Sequence, residues 1–187
     1  MSTVVALFHN RWSVPILAEL RRQRGSRFVT LARTLGVSRE SLRRTLTALI
    51  DGGLVGRNPG YGHPLRPEYV LTRAGETLAR VCSPLVDRLR EGDLEDVGLK
   101  KWSMPVVYAL SEGPRRFSEI RETLEGISPR ALALALKDLE AAGIVDRRVT
   151  DDYPPATVYR LTSTGRPLAG LLLQVTASGD AVGALWR

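Results

Sequence analysis

The sequence predicts a mainly α-helical chain with small β-hairpins, laid out as two tandem copies of one small α+β domain. Three observations predict it: an internal repeat, the same order of helical and strand periodicity in both copies, and glycine breaks at matching places. Arg11-Trp12-Ser13-Val14-Pro15 returns 90 residues later as Lys101-Trp102-Ser103-Met104-Pro105. The register holds for Val37-Ser38 with Ile127-Ser128, for Leu42, Leu46 and Leu49 with Leu132, Leu136 and Leu139, and for Gly53-Leu54-Val55 with Gly143-Ile144-Val145. It continues through Tyr69, Leu71, Thr72 and Gly75 against Tyr159, Leu161, Thr162 and Gly165. Phe28 and Phe117 are 89 apart, so one turn has gained a residue, near Gly36 against Glu125-Gly126. Copies of about 90 residues suit small domains with their own cores. The division falls in the Gly- and acid-containing stretch from Glu91 to Gly98, which places the domains at 1–92 and 93–187.

In copy one, Ile16, Leu17 and Leu20 mark a helix over Trp12 to Arg22, and Leu31, Ala32 and Leu35 mark a shorter one over Val29 to Leu35. Gly36 stops the second helix. Ser38 has the side chain of an N-cap, Leu42, Leu46, Leu49 and Ile50 form one face of a third helix, and Gly52-Gly53 breaks it. Leu54 to Arg57 and Glu68 to Leu71 are β-type runs around Asn58-Pro59-Gly60-Tyr61-Gly62-His63-Pro64, a hairpin with a long tip. Ala74 to Leu89 closes the copy as a helix. Copy two repeats the order, with helices from Trp102, Ser118 and Ser128, strands near Ile144 to Arg148 and Thr157 to Leu161, and a last helix from Thr164. Asp151-Asp152-Tyr153-Pro154-Pro155 is its hairpin tip.

Composition narrows the function. The chain has 187 residues, 43% hydrophobic and 25% charged, as in an ordinary globular protein rather than a disordered one. No apolar run approaches the roughly 20 residues of a membrane-spanning helix, and Met1 to Trp12 lacks the pattern of a secretion leader, so a cytoplasmic location and no membrane partner are expected. One cysteine, Cys82, closes no intrachain disulfide, and with His9 and His63 it makes a poor supply of zinc ligands, so no structural metal is expected. There is no G-x-S-x-G, no phosphate-cradling loop and no Cys-x-x-Cys, and neither histidine recurs in the other copy. The chain therefore reads as a binding protein, not an enzyme, and without a cofactor. Its 27 basic and 20 acidic side chains give a net +7. Only Lys100, Lys101 and Lys137 are lysines, so the arginine excess has two readings, phosphate binding and the coding bias of a GC-rich genome.

Helix, short helix, tight turn, helix, hairpin is the order of a winged helix-turn-helix, whose second turn-linked helix enters the major groove while the hairpin lies on phosphate. Lys101-Trp102, Gly113 to Ile120, Gly126-Ile127-Ser128-Pro129-Arg130, Leu136 to Val145 and Tyr159-Arg160-Leu161-Thr162 resemble the HxlR-type transcriptional regulators, a MarR-related winged-helix group. Copy one resembles them more loosely, through Arg11-Trp12, Arg27-Phe28, Ser38 and Gly53-Leu54-Val55. The resemblance implies double-stranded DNA as partner, a repressor by family habit, and one domain per chain pairing as homodimers. This chain would then hold a dimer's worth of domains in one polypeptide. Homodimerisation of the whole chain and a small-molecule effector remain open. Some similar proteins sense oxidants through a cysteine just before the Lys-Trp motif, and this sequence has none there.

With Leu42, Leu46, Leu49 and Ile50 turned inward, Glu40, Ser41, Arg44 and Thr47 point outward, and Arg39 and Arg43 flank them behind the Ser38 cap. Arginine there can read guanine or neutralise phosphate, and serine and threonine serve bases or backbone. The hairpins add Arg57, Tyr61 and His63 in copy one and Arg147, Arg148 and Tyr153 in copy two. In copy two the same wheel sends Arg130, Ala131, Leu134, Lys137 and Asp138 outward, so Leu134 replaces Arg44 and Ala133 replaces Arg43. Residues 1–95 carry 15 basic and 9 acidic side chains, a net +6, whereas 96–187 carry 12 and 11, a net +1. Copy one is expected to be the main DNA reader, and copy two, with a degenerate DNA face, to be diverted to scaffolding, pairing or ligand sensing. The rival arrangement, two equivalent readers, needs recognition helices about 34–36 Å apart.

Trp12 and Trp102 read as core anchors, Cys82 as a packed thiol, and Trp186 as a tail residue docked on the fold or solvated. A winged-helix protein that binds or sequesters a small molecule or partner protein without DNA is the remaining alternative, with Leu134 and its alanine neighbours as its apolar surface.

Overall fold

The computed structural model describes residues 3–58, 68–150, 153 and 155–182. Tyr61, His63 and Trp186 lie outside them. In copy one, α1 (Thr3–Phe8), α2 (Ser13–Gln23), β1 (Ser26–Arg27), α3 (Phe28–Leu35) and α4 (Arg39–Asp51) precede the hairpin strands β2 (Val55–Asn58) and β3 (Glu68–Leu71), and α5 (Arg73–Glu91) follows. Copy two runs α6 (Glu95–Gly98), α7 (Ser103–Ala109), β4 (Arg115–Arg116), α8 (Phe117–Thr123), α9 (Pro129–Ala141), β5 (Val145–Val149), β6 (Thr157–Leu161) and α10 (Gly165–Val182). The expected helices and hairpins are all present, with ends shifted by a residue or two.

Three features differ from the sequence reading. Two-residue strands β1 and β4 add a third strand to each hairpin, giving antiparallel sheets in the order β1-β3-β2 and β4-β6-β5. Ser26 pairs with Tyr69 and Arg115 with Tyr159, registers too short to leave a period in the sequence. The stretch before Trp12 is a helix, α1, with Val4, Val5, Ala6, Leu7 and Phe8 all buried, so it has no polar face to betray it. The join between the copies is also structured: Asp93 takes a left-handed turn (φ 53°), and α6 follows.

One corner is built identically in both copies. The Thr72 hydroxyl donates to the Gly53 carbonyl at 2.6 Å and accepts from the Gly75 amide at 3.1 Å. Thr162 does the same with Gly143 at 2.6 Å and Gly165 at 3.2 Å. The threonine thus caps the closing helix while holding the start of the hairpin. Glycine is required three residues later: a Cβ on Gly75 would lie 1.9 Å from the Leu54 carbonyl oxygen, and one on Gly165 2.3 Å from that of Ile144.

The two copies share one continuous hydrophobic core that runs from Val4 to Val175. α5 packs on α2 within its own copy and on α10 of the other, burying Leu78, Cys82, Leu85, Val86 and Leu89, while α10 buries Leu168, Leu172 and Val175. α1 sits on α7 and α10, and α6 sits on α5 and α7, so each copy's leading helix touches the closing helix of the other copy. A Cβ on Gly179 would lie 2.3 Å from the Thr3 side chain, so α1 and α10 meet closely. Among the described residues no helix is long and apolar enough to cross a membrane, and no group of His, Cys, Asp and Glu is placed to hold a metal ion.

Replacing either corner glycine should be costly. Gly75→Ala and Gly165→Ala are each expected to lower unfolding free energy by about 1–3 kcal/mol, the range for forcing a methyl into packed space. Urea denaturation followed by circular dichroism reads the change; midpoints equal to the unsubstituted chain would show that the backbones can separate.

Candidate nucleic-acid interface

The geometry of α4 begins with the turn before it. Gly36 takes a left-handed conformation (φ 61°), and the amides of Gly36 and Val37 donate to the carbonyls of Arg33 and Ala32. This closes α3 and redirects the chain within two residues. Ser38 then caps α4, its Oγ accepting from the Ser41 amide at 3.3 Å. Leu42, Leu46 and Leu49 are buried, which fixes the rotation of the helix and leaves Arg39, Glu40, Arg43, Arg44 and Thr47 exposed. Among the described residues no carboxylate lies within ion-pair distance of Arg39, Arg43 or Arg44, so the outer face of α4 presents three guanidinium groups against the single acid Glu40. Glu40 stands in the first turn, where an acid favours the helix dipole.

Three details depart from the helical wheel. Ser41 is half-buried, and its hydroxyl bonds that of Ser38 at 3.0 Å, so it belongs to the cap more than to the outer face. Thr45, absent from the expected core face, is 2% exposed and donates to the Ser41 carbonyl at 2.8 Å, which lets a polar residue share the leucine side. Ile50, expected in the core, is half-buried at the edge of the packing. In the hairpin, Arg57 is exposed and lies 5.7 Å from the ring centroid of Tyr69, its cross-strand partner.

Copy two keeps the scaffold and changes the face. Ser128 accepts from the Ala131 amide at 3.2 Å, Leu132, Leu136 and Leu139 are buried, and Ala135 takes the place of Thr45. Arg130, Ala133, Leu134 and Lys137 are exposed, Leu134 at 59%. Ala131 and Asp138, expected outward, are half-buried, and Asp138 accepts from the Lys100 ammonium at 2.8 Å. The repeat itself held the signal for that pair, since copy one has Asn10 and Ala48 at those places. In the second hairpin Arg147 is exposed, whereas Arg148 bonds Asp146 at 2.9 Å and Arg160 reaches the same carboxylate at 2.9 Å. Hydrogen bonds from Arg148 and then Arg160 hold the Asp146 carboxyl below the ordinary carboxylate range. Tyr153 is 98% exposed at the tip.

Trp12 and Trp102 are half-buried against the core, each under a cation: the Arg11 guanidinium is 5.7 Å from the Trp12 ring centroid, and the Lys101 ammonium 5.2 Å from that of Trp102. Arg11 also bonds Asp96 of the other copy at 2.8 Å. Cys82 is fully buried in α5, and burial pushes its thiol up to about 12.

A family model described as HxlR-like helix-turn-helix matches residues 7–91 and, a second time, 97–184. The chain belongs to the HxlR-like family. It is a transcriptional regulator of that type, in tandem duplication. Similar proteins include the HTH-type transcriptional regulator YodB of Bacillus subtilis, 38% identical over 81 residues that make up 43% of this chain and 72% of YodB. The uncharacterized regulator YybR of the same organism is 40% identical over 81 residues, 43% of this chain and 65% of YybR. Among solved structures, the redox regulator HypR in its oxidized form has 37% sequence identity and a TM-score of 0.44, covering 52% of this chain and 95% of HypR.

The buried thiol of this HxlR-like chain should be silent while the fold persists. In mildly alkaline buffer a small aromatic disulfide reagent is expected to leave Cys82 unmodified, and denaturant should release one thiol per chain. Equal labelling rates with and without denaturant would show that Cys82 is open to reagents.

Proposed function

We propose that the chain is a DNA-binding transcriptional repressor whose two winged-helix domains, residues 1–92 and 93–187, work as a pseudo-dimer within one polypeptide, the first domain being the principal reader of double-stranded DNA. The observation that carries this reading is the row of exposed arginines Arg39, Arg43 and Arg44 on the outer face of α4, none of them in an ion pair among the described residues. A surface helix with no nucleic-acid partner gains little from three like charges set against one acid, Glu40, that bonds none of them, whereas a phosphate-lined groove turns them to use. In this reading Arg44, with Glu40 and Thr47, meets base edges, while Arg39, Arg43 and the Ser38–Ser41 cap meet phosphate. Arg57 and the hairpin residues Tyr61 and His63 extend the contact along the backbone.

The second domain contributes Arg130, Lys137, Arg147 and Arg148 at most as phosphate contacts, because Ala133 and Leu134 stand where copy one has arginines. Its larger part is structural in this reading: α10 packs on α5, a contact that would stand in for a second subunit. Repression follows from occupancy, since a protein bound across a promoter excludes the polymerase from it. On this reading one chain is the binding unit, and operator binding needs no dimerisation of the whole protein.

Fluorescence anisotropy with duplexes from the promoter regions adjoining its own gene tests the assignment. Arg44→Ala should weaken binding by about 1–3 kcal/mol, the worth of one base-reading arginine, and binding should fall steeply with added salt. Arg130→Ala and Lys137→Ala should change it little. A comparable loss from either would reject the asymmetry between domains, and salt-independent failure to bind duplex DNA would reject the regulator reading of α4. A reporter fused to the bound promoter should rise when the gene is deleted; a fall would make the chain an activator.

A further inference from the structure

We propose that copy two carries a small-molecule site between the start of α7 and the outer side of α9, fitted to an aromatic monocarboxylate of one ring or two fused rings. The site is a cavity of about 190 Å³ whose apolar wall is formed by Trp102, Ala131, Leu134 and Ala135. An apolar cavity of about 150 Å³ can hold a single benzene ring. Leu134 is 59% exposed at this place, so a bound ring would cover apolar surface that the fold itself leaves in water.

Two polar features specify what the ring carries. Ser103 lines the same cavity, is 1% exposed, and its hydroxyl has no hydrogen-bond partner among the described residues. A buried hydroxyl left unpaired is costly, and an oxygen on a bound molecule would relieve it. At the rim, the Lys101 ammonium lies 5.2 Å from the Trp102 ring centroid and has no carboxylate partner among the described residues. Lys100 is already taken by Asp138 at 2.8 Å. The rim therefore offers one uncommitted cation beside an aromatic face, and the Asp138 carboxylate disfavours a second negative group on the ligand.

The duplication supplies an internal control. Copy one has Ser41, Arg44 and Thr45 where copy two has Ala131, Leu134 and Ala135, while Trp12-Ser13 and Trp102-Ser103 are kept. Three polar positions have become apolar together, and all three line one cavity. At the rim Asn10 and Ala48 have become the ion pair Lys100–Asp138. Arg39 and Arg43 have also become Pro129 and Ala133 away from the cavity, so what singles out this wall is that its apolar changes converge with the new Lys100–Asp138 pair on one cavity.

The test is calorimetric titration of the full chain, without DNA, with benzoate, 2-naphthoate and the neutral control 2-naphthylmethanol, with tryptophan fluorescence in parallel. Saturable binding of at least one acid is expected, with the neutral control about tenfold or more weaker than 2-naphthoate, as for loss of one charge-assisted contact. Leu134→Arg, which restores the copy-one residue on an exposed site, should abolish binding. Lys101→Gln should weaken it about tenfold. The proposal fails if neither acid binds saturably up to millimolar concentration, if the alcohol binds as well as the acid, or if Leu134→Arg leaves the affinity unchanged. Because no DNA is present, such failure would leave the role proposed for α4 standing.

Discussion

The touching of two backbones, Gly75 against the Leu54 carbonyl and Gly165 against that of Ile144, is the constraint on which the geometry of this molecule depends. Side chains can repack, but a carbonyl oxygen 1.9 Å from where a Cβ would stand cannot move without moving its strand. Each contact fixes the angle between a hairpin and the long helix that follows it, and the threonine three residues earlier ties that corner to the end of the turn-linked helix through Gly53 or Gly143. The long helices α5 and α10 are also where the copies meet. The orientation of α4 is thus transmitted to the other half of the chain through rigid main-chain contacts rather than through long flexible side chains.

Duplication allowed the interior to be kept while the surface diverged. Leu42, Leu46 and Leu49 and their counterparts Leu132, Leu136 and Leu139 are all buried, because moving any of them would rotate the helix. The outward positions carry no such burden. One copy holds arginines there, the other holds alanine and leucine, and the excess positive charge of the chain lies almost wholly in the first half. Two independently paired subunits of one sequence cannot differ in this way, since any substitution would appear in both.

Much of this was legible in the sequence because repetition doubled every signal. A leucine at one helical spacing is weak, but the same spacing 90 residues later, followed by the same Tyr-x-Leu-Thr and glycine, fixes helix, turn and hairpin together. The failures share physical causes. β1 and β4 are two residues long and hold their place by pairing with β3 and β6, which leaves no local period. α1 is buried all round, so its pattern lacks a polar stripe. Ser41 and Thr45 misled the wheel because hydroxyls can satisfy themselves on the helix's own cap and backbone. The engagement of Arg148 with Asp146 and of Lys100 with Asp138 depends on side chains brought together by folding, and only the paired change from Asn10 and Ala48 hinted at the second.

The placement of α1 bears on how the chain is made. It leaves the ribosome well before α7 and α10, to which part of the surface that buries Val4, Val5, Leu7 and Phe8 belongs. Until copy two has been made, the apolar α1 and the exposed flank of α5 must wait for their partners. A nascent polypeptide of this design is a natural client for holding chaperones, and arrest of translation between the halves would release a fragment prone to stick to its neighbours.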